Sequence, residues 1–80
     1  MSMLNELTDL LAEIAPEVED VELHGDKILR DQIEIDSIDY LNFIVAIHKK
    51  FGINIPEKDY SQIQTMNDLS TYLKTRLAEQ

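Results

Sequence analysis

Apolar residues recur along this chain in three helix-length patches, separated by stretches that keep no period. Leu4, Leu7, Leu11 and Ile14, with Leu10 alongside, fall at helical spacing and predict a helix from Ser2 to Ala15. Pro16 ends it, because the residue before a proline is pushed away from helical torsions. The second patch opens at Asp36-Ser37-Ile38 and runs to Phe51-Gly52. Aspartate or serine just ahead of an apolar-periodic run is an N-cap signal, since its side-chain oxygen takes up an amide that the first turn leaves unpaired. Lys49 and Lys50 in the last turn, with Gly52 beyond, suit the negative end of the helix dipole and a left-handed closing residue. The third patch, Met66, Leu69, Leu73 and Leu77 with Tyr72 at its edge, predicts a last helix with one buried face. Thr65 caps it, and Asp68 three residues on makes a shortened capping box.

Glu17 to Ile35 shows no sustained period, although Val18, Val21, Leu23, Ile28, Leu29, Ile33 and Ile35 punctuate it. It reads as a long loop across the helix ends, of the kind that is functional or covers a core. After Gly52, Ile53 and Ile55 bring the chain back onto the core. Pro56 at a first helical position, followed by Glu57 and Asp59, predicts a short helix with Tyr60 and Ile63 as core contacts. The expected fold is all-α: a small antiparallel four-helix bundle, three helices long and one short, in a single domain over residues 1–80.

The central helix carries more apolar residues than one face needs. At about 100° per residue, Tyr40, Phe43, Ile44, Ile47 and Phe51 share a broad core-facing arc. Ile38, Leu41 and Val45 make a separate stripe, and Asp39, Asn42, Lys49 and Lys50 occupy the polar remainder. Such a stripe beside a hydroxyl at the positive end of a helix suits a docking surface next to an attachment point. Cover by the long loop is the competing account.

Charge narrows the partners. The net charge is −9, and residues 1–36 hold eleven acids against Lys27 and Arg30. The central helix is close to neutral. An acidic surface repels nucleic acid and anionic membranes and favours partners with basic docking sites. The longest apolar run, Phe43 to Ile47, is far too short to span a membrane, and nothing in Met1–Asn5 has the makings of an export signal. A cytoplasmic monomer is the expectation. Cysteine is absent, so any thioester chemistry must borrow sulfur from a cofactor.

His24 and His48 do not make Ser37 a hydrolase nucleophile, because there is no Gly-x-Ser-x-Gly turn and no oxyanion loop. Asp26, Asp31, Glu34 and Asp36 lack the alternating ligands, central glycine and closing glutamate of a calcium loop. They read as a solvated acidic face, with a loose divalent site that relieves their repulsion as the alternative.

The order of these features resembles the acyl carrier protein family over nearly the whole chain. An Asp-Ser-hydrophobic tripeptide opens an apolar helix, Phe51 and Ile55-Pro56 follow, and Thr65-Met66 opens a last helix. The resemblance implies 4′-phosphopantetheine joined to Ser37 as a phosphodiester, with Asp36 either a cap alone or also helping to orient Ser37 and hold a metal ion during transfer. It implies a non-catalytic carrier of acyl thioesters, served by a phosphopantetheinyl transferase and by acyl-loading and acyl-transfer enzymes. Partners would dock on Ile38, Asp39, Leu41, Asn42, Val45 and Lys49, and Phe43, Ile47, Tyr60 and Ile63 would line an acyl pocket. Glu34 stands where many carriers have glycine, and Ile38 where leucine or methionine is usual. Asn42, His48, Lys49 and Lys50 fill positions that are acidic in carriers of general fatty acid synthesis, which favours a specialised pathway. An aminoacyl or D-alanyl carrier shares fold and arm, and an interaction module without an arm is the remaining alternative.

Overall fold

In a computed structural model, residues 3–79 are described; Ser2, where the first helix was expected to start, lies outside them. Helix α1 is Met3–Ile14, α2 is the single turn Leu29–Gln32, α3 is Ser37–Phe51 and α4 is Met66–Ala78. Two 3-10 turns, Pro16–Asp20 and Glu57–Gln62, complete the order. Helix α1 packs against both α3 and α4. Seven side chains, Leu7 and Leu11 of α1, Phe43 and Ile47 of α3, Ile63, and Leu69 and Leu73 of α4, are fully buried where the helices meet. Each contributes roughly 1.5–3 kcal/mol by leaving water.

The local signals act as their chemistry predicts. The Asp36 carboxylate accepts the Asp39 amide at 2.8 Å, and the Thr65 hydroxyl accepts the Asp68 amide at 3.0 Å. Gly52 closes α3 at φ 71°, the left-handed region where a side chain is strained, and its amide reaches the His48 carbonyl at 2.8 Å.

Three expectations need correction. The stretch 17–35 is not a plain loop: Pro16–Asp20 coils into a 3-10 turn and Leu29–Gln32 into an α turn, because Val18, Leu29, Ile33 and Ile35 are drawn into the core. The expected short helical turn after Pro56 forms, as the 3-10 turn Glu57–Gln62, but Pro56 is its cap with ψ 149° and not its first residue. Leu77 is 37% exposed rather than buried, since the core ends one turn earlier at Leu73.

The 17–35 connection is held by polar bonds that no periodicity announces. Gln32 Oε1 accepts the His24 amide at 2.7 Å, while Nε2 donates to the His24 and Lys27 carbonyls at 2.9 and 3.1 Å. The same segment is tied to the start of α4: the Leu29 amide donates to the Gln64 carbonyl and the Asn67 amide to the Gly25 carbonyl, both at 2.9 Å. Ile28 and Thr65 pair as an isolated antiparallel bridge. Gly25 lies so close to Asn67 that a Cβ there would collide with the Asn67 side-chain amide.

Candidate functional site

Ser37 is the first residue of α3 and is exposed. Its position follows from the cap. Asp36 is extended and fixes the turn through Asp39, so the next side chain projects from the helix mouth, where the first backbone amides have no intrahelical partner. The first backbone bond of the helix runs from the Tyr40 amide to the Asp36 carbonyl at 3.0 Å, and of the amides before it that of Asp39 is already taken by the Asp36 carboxylate.

Ser37 opens on a groove of about 880 Å³. Ser37, Tyr40 and Leu41 line it from α3, and Glu57, Tyr60, Ser61 and Gln64 line it from the segment after Pro56. Arg30 and Asp31 of α2, with Ile28 and Ile35, complete the lining. The two tyrosines meet edge to face, ring centres 6.0 Å apart at 78°, and the Tyr40 hydroxyl reaches the Ile63 carbonyl at 3.4 Å. The Arg30 guanidinium lies 5.9 Å above the Tyr40 ring. Burial, and after it the neighbouring Tyr60, push the Tyr40 phenol above its usual range, with Arg30 pulling the other way.

The residues expected to dock partners are turned outward. Ile38, Leu41 and Val45 are 69%, 51% and 43% exposed, so the long loop does not cover them. Asn42, Lys49 and Lys50 are exposed beside them and Asp39 is half-buried. Of the residues expected to line an acyl pocket, Tyr60 borders the groove, whereas Phe43, Ile47 and Ile63 are in the closed core. His48 sits eleven residues along α3 from Ser37, about 16 Å by helical rise, with Nδ1 3.3 Å from the Ile53 carbonyl. That separation leaves it no part in activating Ser37. No group of acids and histidines able to hold a metal occurs among the described residues.

Sequence reading missed two sets of residues, one lining the groove and one outside its lining. Arg30 was seen only as a charge, and nothing in its local spacing says that it reaches over Tyr40. Asp59 was taken for an acid near a helix start, yet its side chain is buried and bonded. The Tyr72 hydroxyl donates to it at 2.6 Å, and Arg76 reaches both, at 3.4 Å to Asp59 and 2.8 Å to the Tyr72 oxygen. Burial and the bond to Asp59 raise the Tyr72 phenol above its usual range. This clasp ties the Glu57–Gln62 wall of the groove to α4. The one available signal was the i, i+4 spacing of Tyr72 and Arg76.

The arrangement suits a covalent attachment: an exposed hydroxyl at a capped helix mouth with an adjoining groove. Residues 5–73 match the family described as phosphopantetheine attachment site. The chain is 36% identical to an acyl carrier protein of Renibacterium salmoninarum, over 95% of this chain and 84% of that one. It is 33% identical to an acyl carrier protein of Thermobifida fusca, over 86% of this chain and 91% of that one. A meromycolate extension acyl carrier protein of Mycobacterium leprae is 33% identical, over 80% of this chain and 58% of its own length.

Proposed function

The chain belongs to the acyl carrier proteins, and from that premise we propose that Ser37 is the residue to which its 4′-phosphopantetheine is joined. A member of this family carries acyl groups as thioesters on that covalently attached arm; it is handled by enzymes and is not one. Its partners are a phosphopantetheinyl transferase and acyl-handling enzymes. The arm also supplies the thiol that a chain without cysteine lacks.

One observation carries the assignment to Ser37: its exposed hydroxyl is the first side chain of a 15-residue capped helix and opens directly on the groove. Asp36 sets that geometry as the cap. Tethering makes each delivery close to intramolecular, with an effective concentration fixed by the reach of the arm. Tyr60 is the entry for cargo in this reading, and Phe43, Ile47 and Ile63 are an apolar floor that an acyl chain reaches only by parting close-packed side chains.

The docking face in this reading is Ile38, Leu41 and Val45 with Asp39, Asn42 and Lys49 along its border. Lys49 and Lys50 meet a basic enzyme surface with like charge, each contact worth about 0.2–1 kcal/mol in the wrong direction. The protein therefore serves a dedicated enzyme that recognises apolar shape, working in the cytoplasm as a monomer. Incubation with coenzyme A and a broad-specificity transferase tests the central assignment: intact mass gains one arm, and fragmentation maps it to Ser37. An adduct that persists in Ser37→Ala overturns it. For the docking face, Lys49→Glu with Lys50→Glu raises kcat/KM with a general fatty-acid ketosynthase severalfold, more so at low salt; equal efficiency of the unmutated protein and a typical acidic carrier returns the protein to general fatty acid synthesis.

A further inference from the structure

The surroundings of Ser37 are a poor place to add negative charge. Glu34, Asp36 and Asp39 flank it in sequence, and Asp31 and Glu57 line the same groove. A phosphodiester at Ser37 adds one more anion. The helix mouth offsets part of that cost through its amides and dipole, an effect confined to the first turn. Among the groove residues Arg30 is the one cation.

Arg30 is placed for the task. Its guanidinium lies over the ring of Tyr40, which is three residues along α3 from Ser37 and therefore on the same side of the helix. Among the described residues Arg30 pairs with no carboxylate, whereas Arg76 is engaged with Asp59. A guanidinium keeps its charge at any relevant pH, and its planar fork matches two phosphate oxygens at once. Tyr40 and Tyr60 continue from it as an aromatic wall along which an amide-linked chain with geminal methyls can lie.

We propose that Arg30 anchors the phosphodiester at Ser37 and so parks the arm along the Tyr40–Tyr60 wall between deliveries. The inference rests on the assignment of Ser37 as the attachment point. Arg30 acts here as a positioning residue.

The test uses the whole protein bearing the arm, as wild type, Arg30→Gln and Arg30→Lys, each checked first by intact mass and fragmentation. The readouts are the phosphorus resonance of the phosphodiester and the nuclear Overhauser contacts between the arm's geminal methyls and the Tyr40 and Tyr60 rings. In the wild type the contacts are present at low salt. In Arg30→Gln they fall roughly two- to fivefold, the range expected of one exposed charge pair, and the phosphorus resonance shifts. Arg30→Lys keeps the charge without the fork and falls between. The Tyr40–Tyr60 contact in the same spectra reports whether the wall itself is intact. An arm on Ser37 that shows no contact with the rings, or equal contact in all three proteins, overturns the parking role while leaving the attachment point standing. Failure to find the arm on Ser37 overturns both.

Discussion

Two helices of this protein begin in the same way and end up in opposite surroundings. At the start of α3, Asp36 accepts the amide of Asp39; at the start of α4, Thr65 accepts the amide of Asp68. The residue after each cap is Ser37 in one case and Met66 in the other. Ser37 is exposed and borders a groove, while Met66 is 3% exposed in the core. The start of α4 is clamped by the 25–29 segment through the Asn67 and Leu29 amides; among the described residues no such backbone bonds cross the start of α3. A cap fixes where a helix begins and which amides are satisfied. What crosses in front of it decides whether that helix mouth is a structural joint or a place for chemistry.

Exchanging the residues at that shared position tests the comparison most severely. Ser37→Ala abolishes arm attachment while leaving the fold intact, read as intact mass and thermal midpoint. Met66→Ser places a hydroxyl at the same register of α4, and the outcome differs in both respects. The loss of a buried side chain destabilises the domain by about 2–5 kcal/mol. A transferase adds no second arm, because the clamp bars the approach. A doubly modified Met66→Ser protein means that register alone, without access, specifies the site.

Removing the caps comes next in size. Thr65→Ala costs about 1 kcal/mol, which for a domain of this length lowers the midpoint by about 4–8 °C. Asp36→Ala costs less, because losing the cap bond is offset by removing one of the acids crowded at residues 31–39. Asp36→Asn keeps an oxygen for the Asp39 amide and loses only the charge, so it matches or exceeds the wild type in chemical denaturation. An Asp36→Ala cost larger than that of Thr65→Ala contradicts the account of crowding.

These local features were the legible part of the chain. Asp36, Thr65, Gly52 and Pro16 act over four or five residues, so their positions in the sequence state their roles. The apolar periods of α1 and α3 gave the core for the same reason, as did the two-sided pattern that leaves Ile38, Leu41 and Val45 outside. What stayed hidden depends on partners far along the chain. The 17–35 connection is fixed by Gln32 bonds to carbonyls and by backbone bonds to residues 64 and 67, neither of which leaves a periodic trace. The role of Asp59 appears only when α4 brings Tyr72 and Arg76 to it. The groove beside Ser37 shares this character: Tyr40 reads as a core residue by phase, yet it becomes a wall because Arg30 and Tyr60 arrive from elsewhere.

Alkaline titration separates the same two helices through one tyrosine on each. Tyr40 of α3 and Tyr72 of α4 both have phenols raised above the usual 10.0. A group that holds its proton more tightly when folded adds stability that is fully present below pH 10 and is lost as pH climbs through the folded value. Stability therefore falls above pH 10, and either Tyr→Phe change flattens that slope. Tyr72→Phe also loses the bond to Asp59, a cost of about 1 kcal/mol already present at neutral pH. Tyr40→Phe gives up a longer bond to the Ile63 carbonyl and costs less there. Denaturant midpoints at neutral and alkaline pH resolve both terms; an unchanged alkaline slope in both variants removes the tyrosines from the account.

The smallest expected effect is that of salt, and it bears on why the open helix mouth is acidic while the clamped one is not. Asp31, Glu34, Asp36 and Asp39 surround the start of α3, whereas Asp68 is the lone acid in the first turn of α4. Exposed charges interact over a screening length of about 10 Å at 0.1 M salt, so like charges this close in sequence repel most in dilute buffer. Exposed pairs of this kind are worth about 0.2–1 kcal/mol, so raising the salt from low to moderate should lift the midpoint by a few degrees. If the repulsion is concentrated where the comparison puts it, Asp36→Asn reduces the salt response and Asp68→Asn leaves it nearly unchanged. Thermal scans of the three proteins across a salt series decide this. Equal salt responses in both variants would place the repulsion elsewhere in the acidic first 36 residues, around Glu17, Glu19 and Asp20, and leave the acids at Ser37 free to serve recognition rather than to limit stability.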